Sequence, residues 1–294
     1  MKISGMITAS DGENKKGMID FIDIPFYGGK KYLMKDKILS PETKLVDGLP
    51  LIAAPIQAMA DANIIDDFVI VGKEEQCQEL EELASKISKK PFKVVKCEGH
   101  IGETVALGAQ RIRIPGYFLI LQPDLPFISG RVIDETLAEM LPCKDQKFSI
   151  YFPVIDKEFF KQYSQGWVRP FFLRDGRDSA RYKSLDFVIA DSARINPEFV
   201  RKFYNIRMIR SLKGKINMVH EISEYLPQLL LKYASKRLSI HQIEEIGSEL
   251  NGHDIKIVQV RNPSASAFML DIDTKEDYHK YLESVNNQYC PKAL

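Results

Sequence analysis

Two acidic foci hold the chemistry that this sequence can offer. The first is Asp124, which ends the apolar run Tyr117-Phe-Leu-Ile-Leu-Gln-Pro-Asp124 and precedes the breakers Pro126 and Ser129-Gly130. The second is Asp271-Ile-Asp273, led in by Phe268, Met269 and Leu270. On an extended segment Asp271 and Asp273 point the same way. Neighbouring carboxylates repel unless a cation or hydrogen-bond donors hold them. If a mid-chain carboxylate and a C-terminal pair meet, they form an all-oxygen site for one or two magnesium ions (Mg2+), as phosphate chemistry requires. Plainer readings also fit. Asp124 could open a turn or cap the next helix, and all three acids could be solvated groups at strand ends. Thr274 and Asp277 have capping-box-like spacing, which explains them but not Asp271 or Asp273.

The elements that must position these groups alternate regularly. Residues 3–8 read as a first strand, and residues 50–63 place Leu51, Ile52, Pro55, Ile56, Met59 and Ala60 at helical spacing. Strands at 68–71 and 92–95 alternate with helices at 74–88 and 102–112. The Asp124 strand, a helix at 131–141 and a strand at 148–155 follow. Single helices between strands mean βαβ units, a mostly parallel sheet and a three-layer α/β/α architecture. A continuous apolar run is a strand covered on both faces, and its carboxyl end is where such sheets bind ligands.

The second half is less regular. Residues 166–173 and 186–190 read as strands around a polar loop at 174–178. Residues 196–250 read as a helical insert, with Pro197 just inside one helix and Ser239 capping another. Strands at 255–260 and 268–270 and a helix at 275–285 close a chain read as a single domain over residues 1–294.

Composition narrows the function classes. With 41 basic and 40 acidic residues the net charge is +1, which predicts no general electrostatic grip on nucleic acid or membrane. Cys77, Cys97, Cys143 and Cys290 are far apart, as reduced thiols of a cytoplasmic protein would be. The acids and lysines of the first 25 residues are unlike a signal peptide. Among the five histidines only His100, between Gly99 and Gly102, is a candidate neighbour of a ligand.

On these residues the chain resembles the molybdenum-cofactor-guanylyltransferase-like nucleotidyltransferases. Lys44-Leu-Val-Asp-Gly48-Leu-Pro50-Leu-Ile52, continuing to Phe68-Val-Ile-Val-Gly72, is similar to their N-terminal signature. Gln122-Pro-Asp124-Leu-Pro126 is similar to their metal-binding aspartate motif, and residues 271–278 to their C-terminal acidic motif. Residues 168–176 and 237–240 resemble an internal pattern of longer members, so the matches span residues 44–285.

The resemblance implies a glycosyltransferase-A-like α/β/α fold. It also implies transfer of a nucleotidyl group from an NTP to a phosphate- or alcohol-bearing small molecule, with release of pyrophosphate. By the same resemblance Mg2+ would sit on Asp124 with Asp271 or Asp273. Lys44, or a lysine between 30 and 37, would stabilise the triphosphate. Thr8, Ala9, Ser10 and Gly12 would form the loop that cradles it, and Gly102 and Thr104 would line the nucleotide site. A homo-oligomer is compatible with all of this.

The chain departs from that pattern in its first loop. A triphosphate cradle uses several glycines for close backbone approach, and residues 7–14 contain one glycine and two acids. Two further functions are therefore carried: a nucleotide or nucleotide-sugar binder without turnover, and a glycosyltransferase of related fold.

Overall fold

Strand β1 (Ile3–Thr8) is buried along its whole length, as a strand between two helical layers must be. It pairs in parallel with β2 (Ile65–Gly72) on one side and β4 (Tyr117–Leu121) on the other; β3 (Phe92–Lys96) extends the sheet beyond β2. The crossovers are α1 (Ala53–Asp61), α2 (Glu74–Ile87) and α3 (Ile101–Arg111), and α4 (Gly130–Met140) follows β4. The computed structural model describes residues 2–9, 52–141, 148–160, 171–175, 178–208, 231–232, 235 and 237–271.

The two-residue period of the strands divides the core between two faces. Ile7, Phe68, Ile70, Leu119 and Leu121 pack with Met59 of α1, Leu83 of α2, and Ile133 and Leu137 of α4. Met6, Val69, Val71 and Phe118 pack on the other face with Val105 and Ala109 of α3 and with Phe199 of α6 (Pro197–Met208). This is the three-layer α/β/α arrangement that the alternating pattern implies.

Beyond α4 the sheet becomes mixed. Strands β5 (Ile150–Asp156), β6 (Phe171–Asp175), β7 (Asp178–Ser184), β8 (Phe187–Asp191) and β9 (Ile255–Val260) complete a nine-stranded sheet, with the short α5 (Lys157–Phe160) after β5. Strand β8 lies antiparallel between β4 and β5, and β9 lies parallel to β5. Strand β7 runs antiparallel to both β5 and β6. The pairings make β7 and β8 one continuous strand, interrupted at Leu185-Asp186, that opposes the direction of the other seven. Helix α7 (Ile240–Asn251) leads into β9 and is capped by Ser239, as the sequence implies, with Gln242 completing a capping box.

Two expectations are corrected. Residues 268–270 are not a strand: a 3-10 helix occupies Pro263–Met269, with the Asn262 side chain accepting from the Ser264 N–H at 3.0 Å. Pro263 favours that helical start, and small residues 264–267 let the segment bury on all sides, which mimics a strand in the hydrophobic pattern. The polar loop expected at 174–178 is also shorter, because Arg174 and Asp175 belong to β6 and Asp178 begins β7. The helix expected at 275–285 lies outside the described residues.

Candidate functional site

Asp124 is fully buried just past the carboxyl end of β4. The segment that carries it is stiffened by Pro123 and Pro126 and anchored by the buried side chains of Leu125, Phe127 and Ile128. Asp124 does not cap the following helix; that role belongs to Ser129, whose hydroxyl accepts from the Val132 N–H at 3.4 Å. Withdrawing a carboxylate wholly from water is costly without compensating charge or donors. Its burial at a strand end is therefore a specific arrangement, unlike the solvated acid that the plainer reading supposes.

The ends of β1 and β2 lie beside this segment. The Thr8 hydroxyl donates to the Leu121 carbonyl at 3.4 Å, and the Ala9 N–H donates to the Val71 carbonyl at 2.7 Å. Thr8 and Ala9 are buried here, whereas Ser10, Gly12, Lys44 and Asp273 lie outside the described residues.

A third chain segment arrives from the far end of the sequence. Leu121 is paired with Phe187, the first residue of β8. The Phe187 ring lies 4.3 Å from that of Phe268, and the Asp186 N–H donates to the Phe268 carbonyl at 2.8 Å. The end of the 3-10 helix is thus held at the carboxyl end of β4, and Asp271 follows two residues after Met269, its last residue. The segments that carry Asp124 and Asp271 are thus both attached to the start of β8.

Sequence reasoning missed Asp186, a second fully buried aspartate at this end of the sheet. The available signal was an acid leading an apolar run, Asp186-Phe-Val-Ile-Ala190. Reading it requires knowing that β8 runs antiparallel, so that its start meets the end of β4.

At the start of α3 the candidate residues make other contacts. A Cβ on Gly102 would lie 2.1 Å from the Pro197 carbonyl oxygen, so glycine permits close packing of α3 on α6. The Thr104 hydroxyl is within donating distance of Cys97 Sγ (3.6 Å) and the His100 carbonyl (3.2 Å). His100 is the helix N-cap, its Nδ1 accepting from the Gly102 and Glu103 N–H groups at 3.1 and 3.3 Å. These two amides point at the imidazole. Cys77, at the start of α2, is a free thiol held protonated by burial and by the charge of Glu74.

Among the described residues no group of three or more His, Cys, Asp or Glu could hold a metal by itself. Magnesium does not require one: it binds through one or two carboxylates, substrate phosphates and water. Asp124 and Asp271 offer oxygen donors of that kind. Among the described residues no helix is long and apolar enough to cross a membrane.

No protein-family model matches the chain, and no curated protein does. Solved structures do. A hypothetical transferase from Thermus thermophilus superposes with a TM-score of 0.62 at 16% identity, over 94% of this chain and 99% of that one. A CMP:2-keto-3-deoxy-manno-octonic acid synthetase complexed with CTP gives 0.51 at 11% identity, over 98% and 100%. An inositol-1-phosphate CTP transferase from T. maritima gives 0.50 at 10% identity, over 100% and 98%. The chain shares the α/β fold of these proteins.

Proposed function

We propose that this chain transfers a nucleotidyl group from an NTP to a phosphate- or alcohol-bearing small molecule, releasing pyrophosphate. The observation that carries this reading is the wholly buried Asp124 at the carboxyl end of β4, where the Asp271 segment and the end of β1 also arrive. The shared fold supports it.

Asp124, Asp271 and Asp273 would hold magnesium, which when bound neutralises charge on the α-phosphate and the leaving pyrophosphate. The chain's own part is to fix positions. Buried Leu125, Phe127 and Ile128 hold Asp124 in place, and Thr8 ties the end of β1 to β4. The first loop after Ala9 and Lys44 receive the triphosphate. An acceptor oxygen then attacks the α-phosphorus in line; its bond to phosphorus forms as the bond to the bridging oxygen breaks. Placement and charge neutralisation carry most of the catalysis in such transfers, so no side-chain nucleophile is needed.

The base is a choice between two indications. The motifs resemble those of guanylyltransferases, whereas two of the structurally similar proteins are named for CMP and CTP. Melting curves with GTP, CTP, ATP and UTP, each with and without magnesium, test the reading. A magnesium-dependent rise for one nucleotide, followed by pyrophosphate release with an acceptor, is expected. No rise with any of the four would overturn it. The first loop, with one glycine and two acids among residues 7–14, favours a second reading in which the chain binds a nucleotide without turnover. A magnesium-dependent rise without pyrophosphate release across an acceptor screen would select that one.

A further inference from the structure

Two glutamates of α4, which no motif singled out, face the start of the 3-10 helix. Glu139 accepts two backbone N–H groups, Arg261 on Oε1 at 2.7 Å and Asn262 on Oε2 at 3.1 Å. One turn earlier, Glu135 Oε2 accepts from Asn262 Nδ2 at 3.1 Å and from the Ser264 hydroxyl at 2.8 Å. Arg131, on the same face, lies 3.5 Å from the other Glu135 oxygen. Bonds to an ionised carboxylate are about twice as strong as neutral ones. Those from Arg261 and Asn262 satisfy amides that a helix start leaves without helical partners.

The segment between this clamp and the site is short and buried. Residues 265–270 are all buried, and the far end is tied to Asp186 and Phe187 of the sheet. The 3-10 helix is therefore a strut fixed at both ends, with α4 holding its entrance and the sheet its exit. Asp271 stands two residues after its last residue, Met269. Helix α4 also begins six residues after Asp124, so one helix is joined to both acidic segments.

We infer that Glu139, assisted by Glu135, is a positioning residue that sets the Asp271 segment against Asp124, so that magnesium and nucleotide bind at low concentration. This rests on the nucleotidyltransferase reading above. Neither glutamate touches the reacting groups. They act through the strut, as outer-shell partners act on metal ligands, and loss of such partners costs about 10–100-fold in metal affinity.

The test uses the full chain and three variants. Glu139→Ala removes both amide acceptors, and Glu135→Ala removes the side-chain bonds. Glu135→Gln keeps an oxygen that can accept both and serves as the conservative rescue. Hydrogen exchange should be faster over residues 261–271 in Glu139→Ala, and the nucleotide-induced melting shift should need about tenfold more magnesium. Glu135→Ala should move in the same direction by less, and Glu135→Gln should stay near wild type.

A merely structural loss lowers the melting temperature and leaves the magnesium half-saturation unchanged; that result overturns the inference. Unchanged exchange at 261–271 in Glu139→Ala overturns it also. A wild-type chain that no NTP stabilises defeats the functional reading itself, and the positioning role with it. Wild-type stabilisation with an unmoved magnesium dependence in Glu139→Ala defeats the clamp alone.

Discussion

Phe268 is the residue on which the two halves of the site meet, and replacing it with alanine gives the sharpest test. Its side chain is fully buried, its ring is 4.3 Å from that of Phe187, and its carbonyl accepts from Asp186. Phe→Ala in a core loses transfer free energy and leaves a cavity, together about 3–5 kcal/mol. The ring contact adds about 0.5–1.5 kcal/mol of coupling. If all 294 residues unfold together, an unfolding entropy of about 2.1 cal/mol/K per residue gives about 0.6 kcal/mol/K. A loss of about 4 kcal/mol then lowers the melting temperature by about 6 °C. Urea unfolding of Phe268→Ala, Phe187→Ala and the double variant measures both the loss and the coupling. A loss below about 1 kcal/mol, or additive single losses, would refute the packing of the strut on β8 and with it the account of how Asp271 is placed.

Asp124→Asn should lower pyrophosphate release by orders of magnitude while its circular dichroism and melting temperature stay near wild type; an unchanged rate would remove Asp124 from the mechanism. Gly102→Ala forces a methyl against the backbone oxygen of Pro197 and should cost about 1–3 kcal/mol of stability in urea unfolding, whereas a neutral or stabilising effect would mean that α3 and α6 are not packed as closely as described. For Glu135, the hydrogen bond from Asn262 holds the carboxyl below its ordinary value of 4.5. A depressed folded value contributes stability above the unfolded value that is lost as pH falls through the folded one. Wild type should therefore lose stability relative to Glu135→Gln as pH drops below about 4.5, and parallel curves through that window in acid-titrated unfolding would contradict it.

The local elements of the first half were legible in the sequence because each depends on near neighbours. Apolar runs at 68–71 and 117–121 are strands, the amphipathic stretch at 74–88 is α2, and Ser239 caps α7. The same local logic misled at 268–270, since three buried apolar residues look alike in a strand and in a 3-10 helix buried on all sides. Asp124 was legible as an acid at the end of a buried run. Tertiary structure decided that it is fully buried and that Ser129, five residues on, caps the helix in its place.

Direction and partnership were not local. Strand order, the reversal of β7 and β8 and the docking of the 3-10 helix depend on contacts between residues far apart in sequence. The Asp186 N–H reaches Phe268, and Glu139 reaches Arg261 and Asn262 more than 100 positions away. No short-range period encodes such pairings. The sequence by itself determined the strands and helices of the first half and the acid that follows β4. Tertiary structure alone decided that the ends of β1, β4 and the 3-10 helix meet the start of β8 at one edge, because that depends on burying both faces of the sheet at once.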